Sequence, residues 1–212
     1  MNEYTQEILN FENDFLKELR QSAARDRDNV PILRPDAAAL LKMLTALKKP
    51  HRILEAGTAI GYSAILMAAA AGQETRIDTV EIDEDTAATA RKNMKTAGLS
   101  GRIRVITGDA GEVFSCLSGP YDMIFLDSSK SHYLDLYEDV KRLLAPGGLL
   151  ICDNVIFYGK ISDAPENAPH KHRTIVTKLR AFLEKLCNDD DYICSIIEAG
   201  DGMALAVKKE RF

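Results

Sequence analysis

Hydrophobic and polar positions along this chain fall into two regimes. Over residues 3–20, Ile8, Phe11, Phe15 and Leu19 recur at helical spacing, and after Pro35 the leucines Leu40, Leu41, Leu44 and Leu47 repeat the pattern. From residue 51 short apolar runs alternate with helical stretches: a strand to Glu55, a helix from about Gly61, a strand to Glu81, a helix from Asp85, a strand to Gly108 and a short helix. A strand to Asp127, a helix around Leu134 to Leu144 and a strand to Cys152 follow. Such alternation predicts a parallel sheet with helices on both faces. A helix over Thr174 to Leu186 then leads to YICSIIEA and MALAVKK, joined by Gly200-Asp201-Gly202, which predicts an antiparallel hairpin and a reversed strand at the end of the sheet. The reading is a single α/β domain over 1–212, with helices in 1–49 and the core in 50–212, and no internal repeat.

The apolar runs share one further feature. RILE, DTVE, RVITGD, MIFLD and LLICD end on Glu55, Glu81, Asp109, Asp127 and Asp153. A carboxylate at the end of a buried strand is costly to desolvate unless something there uses it. Ligands of open α/β sheets bind outside the carboxyl ends of the strands, so five acids on that edge suggest a polar cofactor and a cation. The loop from Gly159 to Pro169, with Pro165 inside it, directly follows the fifth strand and is placed to shape a substrate site.

Composition narrows the class. With 212 residues and 46% hydrophobic content the chain can bury a full core, which excludes disordered and fibrous classes. Its 27 basic and 32 acidic residues leave a net charge of -5, so there is no global basic field for nonspecific nucleic-acid binding, although a local patch stays open. Cys116, Cys152, Cys187 and Cys194 show no CxxC spacing, which fits a reduced, cytoplasmic protein. The acidic start MNEYTQEILNFENDF lacks a signal pattern, and AILMAAAA is too short to span a bilayer, so no membrane partner is expected.

In EAGTAIGYS, Gly57 permits a tight strand-to-helix turn with close backbone approach to a ligand, and Gly61 lets the helix start near the sheet. The order Gly57-Thr58-Ala59-Ile60-Gly61 misses the GxGxxG dinucleotide fingerprint. Glu55 precedes the first glycine by two positions, which suits a cofactor with a cationic amino group better than a pyrophosphate; an ordinary strand-turn-helix is the alternative. Glu81, 24 residues after Gly57, sits where doubly wound folds place an acid on the ribose hydroxyls. Helix-dipole stabilisation is its other reading, although Asp83 and Asp85 serve that better. Asp109, followed by Ala110, either reads an adenine amino group or caps the next helix.

LDSSK (Leu126 to Lys130) and CDNV (Cys152 to Val155) carry the chemistry. Neighbouring fourth and fifth strands would bring Asp127, Asp153 and Asn154 to one point. Three oxygen donors without His or Cys suit a hard divalent cation, Mg²⁺ first, with Mn²⁺ or Ca²⁺ as alternatives and zinc disfavoured. Helix-cap and turn roles are the alternative for these acids. Lys130, three residues after Asp127, is either solvated surface or, with its ammonium repelled by a metal, a candidate proton acceptor.

At these residues the chain resembles the class I S-adenosylmethionine (SAM)-dependent, cation-dependent O-methyltransferases, the group of the catechol and caffeoyl-coenzyme-A enzymes. VPIL at Val30, GTAIGYS, VEID, GDA, FLDSSKSHY, LLAPGGLLICDNV and GDGMALAVKK carry the resemblance in order. Within the group it is most similar to bacterial tRNA methyltransferases acting on 5-hydroxyuridine at the wobble position. The resemblance implies a Rossmann-like fold: a mostly parallel seven-stranded sheet, a C-terminal antiparallel hairpin and N-terminal cap helices. It also implies cofactor contacts from Leu33, Glu55, Gly57, Tyr62, Ser63, Glu81, Asp109, Ala110 and Asp127, metal ligation by Asp127, Asp153 and Asn154, catalytic roles for Lys130 and Asp127, and a homodimer. Ser128 and Ser129 depart from the small alanines common in relatives, which puts the local packing in question.

Methyl transfer from a sulfonium is an in-line displacement in which alignment alone can be worth ~7–11 kcal/mol. A hydroxyl with a phenol-like pKa of about 10 is a poor nucleophile at neutral pH. A divalent cation with two open positions acidifies it and favours substrates with vicinal oxygens. A catechol and 5-hydroxyuridine both qualify. Toward RNA, Lys160, Lys171, Arg173, Lys178, Arg180 and Lys185 outnumber Asp163, Glu166 and Glu184, with His170 and His172 added, and Arg20, Arg25 and Arg27 cluster near the N-terminus. These are either solvated faces or phosphate contacts for an anticodon loop. A nicotinamide oxidoreductase and a noncatalytic RNA-binding protein on the same fold are the rival classes.

Overall fold

The structure is a computed structural model and describes residues 8–25, 31–162 and 169–210. Helices α1 (Asp14–Arg25) and α2 (Pro35–Lys48) precede β1 (Arg52–Ala56), α3 (Tyr62–Ala70), β2 (Arg76–Glu81), α4 (Glu84–Thr96), β3 (Ile103–Thr107) and α5 (Ala110–Cys116). Then come β4 (Tyr121–Leu126), α6 (Tyr137–Leu143), β5 (Leu144–Cys152), α7 (His170–Asn188), β6 (Tyr192–Ile197) and β7 (Met203–Lys208), with 3₁₀ turns at Lys130–His132 and Lys160–Ser162. The sheet order is β3-β2-β1-β4-β5-β7-β6. Strands β1 to β5 run parallel, and β7 is antiparallel to both of its neighbours. The reversed strand therefore lies between β5 and β6, and the edge strand β6 again runs with β5. Strand order switches direction between β1 and β4, where open sheets form a crevice.

Successive strand residues face opposite sides, which gives two core layers. Ile53, Ile77, Met123, Phe125 and Ile151 pack with Leu16 and Leu19 of α1, Leu41 of α2 and Ile65 of α3. Leu54, Val80, Ile124, Leu126 and Leu150 pack with Phe114 of α5, Val140 of α6 and Leu179, Phe182 and Leu186 of α7. Each such side chain stabilises the fold by about 1.5–3 kcal/mol. The N-terminal helices share the core of the first layer rather than lying loosely upon it. No helix among the described residues is long and apolar enough to cross a membrane.

Four elements differ from the sequence pattern. The helix expected over 3–20 is interrupted: Ile8 is helical, residues 9–13 are not, and α1 starts at Asp14, where the Asn13 carboxamide accepts from the Leu16 N–H at 2.9 Å, and runs on to Arg25; residues 1–7 lie outside the described residues. On α2 the buried face is Ala37, Ala38, Leu41 and Thr45, while Leu47 is exposed. The stretch Leu134–Leu144 divides into an irregular turn and the short α6, and Leu144 already opens β5, which passes through Pro146-Gly147-Gly148 with a register shift against β4. Helix α7 begins earlier than Thr174 and ends later than Leu186.

Candidate active site

A cleft of about 920 Å³ opens at the carboxyl ends of β1, β2, β3, β4 and β5. Leu33, Gly57, Glu81, Asp109, Ala110, Asp127, Lys130, Asp153 and Asn154 all line it. Tyr62 and Ser63 line a side pocket of about 20 Å³ that shares Leu33, Gly57 and Asp127 with the cleft. Glu55 lines neither; it is fully buried inside β1.

At the β1 turn, Gly57 has φ 98°, and a Cβ there would lie 2.4 Å from the Asp127 carbonyl oxygen, so only glycine lets β1 and β4 close up at the strand switch. Ala59 also adopts a left-handed conformation, φ 45°. Its N–H donates to Glu81 Oε2 at 2.9 Å, while the Asp83 N–H donates to Glu81 Oε1 at 3.1 Å. Glu81 is thus fixed by two backbone donors and holds the glycine loop against β2. Behind that loop Glu55 Oε2 accepts from Thr79 at 2.5 Å, and the Thr58 and Thr79 hydroxyls lie 2.6 Å apart. Glu55 Oε1 has no hydrogen-bond partner. Burial pushes the Glu55 carboxyl up to about 8; the Ser63 and Thr79 hydroxyls offset part of that, and the charges of Asp127 and Glu81 add to it. Asp109 takes its capping role: Oδ1 accepts from Gly111 N–H at 2.8 Å and Glu112 N–H at 3.2 Å, although the residue still borders the cleft.

The second constellation forms where β4 and β5 end side by side. The Asp153 N–H donates to the Leu126 carbonyl at 2.9 Å. Lys130 Nζ lies 3.2 Å from Asp127 Oδ1. Asn154 Nδ2 donates to Asp153 Oδ2 at 3.1 Å, and Asn154 adopts φ 57°, a strained conformation that asparagine tolerates better than most residues. Asp153 Oδ1 is buried without a partner. Burial raises the Asp127 carboxyl, an effect that Lys130 partly offsets. Burial, then the charge of Asp127, pushes Asp153 up to about 7. Two desolvated carboxyls beside an amide and an orphaned oxygen fit a hard divalent cation. Among the described residues no group of three His, Cys, Asp or Glu side chains offers an alternative cage.

Several supports escaped the sequence pattern. The Tyr133 hydroxyl donates to the Leu126 carbonyl at 2.8 Å and lies 3.1 Å from the Asp153 carbonyl, clamping both strand ends. The Gly200-Asp201-Gly202 turn is more than a hairpin connection. The Gly202 and Asp201 carbonyls accept from the Val155 and Ile156 N–H groups at 2.9 Å, and the Asp201 carboxylate accepts from Tyr158 N–H at 2.7 and 2.9 Å. That turn fixes the loop carrying Asn154. Ser128 borders the cleft with a buried, unpartnered hydroxyl, while Ser129 Oγ lies 2.9 Å from Ser131 Oγ. Arg20, expected as part of a basic cluster, is instead bound internally to Glu12, Leu33 and Tyr62. Arg27 lies outside the described residues.

The sheet order β3-β2-β1-β4-β5-β7-β6, with reversed β7 inserted between β5 and β6 and a cleft at the switch point, is the Rossmann-like architecture shared with O-methyltransferases of known structure. A sequence model of the O-methyltransferase family matches residues 6–209, and the chain belongs to that family. It is 34% identical to a catechol O-methyltransferase of Niastella koreensis over 97% of this chain and 95% of the relative. It is 26% identical to a caffeoyl-CoA O-methyltransferase of Populus kitakamiensis over 92% and 86%. Among solved structures, the O-methyltransferase TomG from Streptomyces achromogenes in complex with SAM superimposes with a TM-score of 0.85 at 28% identity, covering 98% of this chain and 95% of that one. An O-methyltransferase from Bacillus cereus in complex with SAH gives 0.85 at 28% identity, covering 97% and 96%.

Proposed function

We propose that this protein is a SAM- and Mg²⁺-dependent O-methyltransferase whose acceptor is 5-hydroxyuridine at the wobble position of tRNA. The observation that supports the reaction is the Asp153 carboxyl, whose Oδ1 is buried without a partner, beside Asp127 and Asn154 in a cleft whose other half is bordered by Glu81, Asp109 and Ala110. When bound, SAM supplies an electrophilic methyl group and the cation acidifies the acceptor hydroxyl. Glu81 is held to accept from ribose hydroxyls, Ala110 borders the adenine region, and Leu33, Gly57, Tyr62 and Ser63 enclose the methionine end. Asp127 stands at the junction of the two halves. Asp153 and Asn154 would join it in holding the cation, and Lys130, whose Nζ lies 3.2 Å from Asp127 Oδ1, would take the acceptor's proton as the neutral amine, having first given its own proton to solvent. Glu55 acts from behind the glycine loop rather than by touching the cofactor.

Charge at the mouth supports an RNA acceptor. Arg34 borders the cleft, Lys160 Nζ lies 5.2 and 5.3 Å from the Phe157 and Tyr158 ring centres, and Lys171 stands in the first turn of α7. Lys178 and Lys185 do not contribute, since they pair with Asp135 and Glu138. A small vicinal-oxygen acceptor is the second reading, favoured by the catechol and caffeoyl-CoA enzymes among the relatives. A homodimer in the cytoplasm completes the proposal, with exposed Met43 and Leu47 of α2 and Ile193 and Val207 of the last strands as its apolar surface. Labelled SAM incubated with Mg²⁺ and either hypomodified tRNA or a catechol tests the acceptor. Label in tRNA is expected; label entering only the catechol overturns the RNA reading.

A further inference from the structure

We propose that Arg20 is a positioning residue for the methionine end of the cleft, a latch through which the N-terminal arm holds the Leu33 wall and the Tyr62 ring in place; this rests on the cleft binding SAM. Arg20 lines neither the cleft nor the side pocket, yet it binds two residues that do. Its Nη1 donates to the Leu33 carbonyl at 2.7 Å, Nη2 donates to the Tyr62 hydroxyl, and Nε donates to Glu12 Oε1 at 2.8 Å. The guanidinium carbon also stacks 4.7 Å from the Tyr62 ring centre. The Tyr62 hydroxyl donates in turn to Glu12, closing the ring of contacts.

The latch is anchored on its far side as well. Lys42 Nζ of α2 donates to the Phe11 carbonyl at 2.6 Å, and Asn13 caps α1, so Glu12 is presented from a turn fixed at both ends. The Arg20 and Glu12 side chains are only 21% and 11% exposed, unlike an ordinary surface ion pair. Residues 31–34, by contrast, belong to no helix or strand, yet Leu33 borders both cavities. Such a segment has no sheet ladder to fix it, so its place depends on the burial of the Leu33 side chain in the core and on side-chain donors to its backbone. The planar fork of arginine reaches a carbonyl, a hydroxyl and a carboxylate together; a lysine ammonium lacks that geometry.

The experiment compares full-length wild type, Arg20→Ala, Arg20→Lys and Tyr62→Phe. It reads calorimetric affinity for S-adenosylhomocysteine (SAH), KM for SAM, kcat at saturating SAM and ligand-free melting. Arg20→Ala is expected to weaken SAH binding about tenfold, equivalent to ~1.4 kcal/mol, and to raise KM for SAM alike while kcat falls far less; Arg20→Lys recovers only part. Tyr62→Phe, which deletes the hydroxyl shared by Arg20 and Glu12 and keeps the core ring, is expected to weaken SAH about threefold with a small drop in melting temperature; because Tyr62 itself borders the side pocket, Arg20→Lys, at a residue lining neither cavity, decides the matter if Arg20→Ala does not fold. Affinity within about twofold of wild type in the folded variants, or a loss in kcat with KM unmoved, overturns the latch. Failure of the wild type itself to bind SAH overturns the cofactor reading instead.

Discussion

Two groups of acids in this molecule have opposite surroundings. At the β5 end, Asp153 keeps an orphaned oxygen beside a second carboxyl, and burial pushes it up to about 7. Beyond α7, Asp189 accepts from Lys141 Nζ at 2.6 Å, from the Tyr137 hydroxyl at 2.5 Å and from the Asp191 N–H at 2.9 Å. These partners overcome its burial and hold its carboxyl down to about 2. The Asp189 knot ties α6 and α7 to the last strands and is complete in itself. Asp153 is incomplete, and an unpartnered buried carboxylate oxygen in a pre-formed cavity points to a ligand site.

Substitutions break the comparison in opposite directions. Asp153→Asn is expected to lower turnover about a thousandfold, ~4 kcal/mol of transition-state stabilisation, while thermal unfolding shows stability unchanged or raised because a buried repulsion is gone. Glu55→Gln comes next. A carboxyl raised to about 8 contributes stability that is fully present below its unfolded value of 4.5 and is lost as pH rises through 8. Ligand-free wild type should therefore lose about 2.5 kcal/mol between pH 6 and pH 9 relative to Glu55→Gln in denaturant titrations. Asp189→Ala should cost about 2 kcal/mol of stability by leaving Tyr137 and Lys141 short of an acceptor, with activity per folded molecule kept. The contribution of Asp189 has the opposite pH sign: present above its unfolded value of 3.8, it fades as pH falls through 2. The smallest effect belongs to the cation: Mg²⁺ at ten times its Kd should add about 1.4 kcal/mol to wild type, a melting shift of roughly 3 °C that Asp153→Asn lacks.

Much of this was legible in the sequence because it depends on local order. Alternating apolar runs foretold the parallel sheet, and acids at their ends foretold the cleft, since strand polarity puts every such residue on one edge. The limits were also physical. Asp109 has the same local pattern whether it caps a helix or meets a ligand, and only the Gly111 and Glu112 bonds show the cap. Glu55 shares the pattern of the others yet faces inward, because the chain continues as strand to Ala56. The clamps made by Tyr133, Asp201 and Arg20 join residues far apart in sequence, and no local spacing announces them. The start of α1 at Asp14 was available from Asn13, whose capping preference outweighed the apolar spacing before it.

Whether Asp153 and a divalent cation carry the reaction is decided by methyl transfer from labelled SAM, followed for wild type and Asp153→Asn with Mg²⁺ or with chelator. Transfer is expected from wild type with Mg²⁺, none with chelator, and less than about a thousandth of that rate from Asp153→Asn although its SAH affinity persists. Turnover that survives both the chelator and the substitution would contradict it.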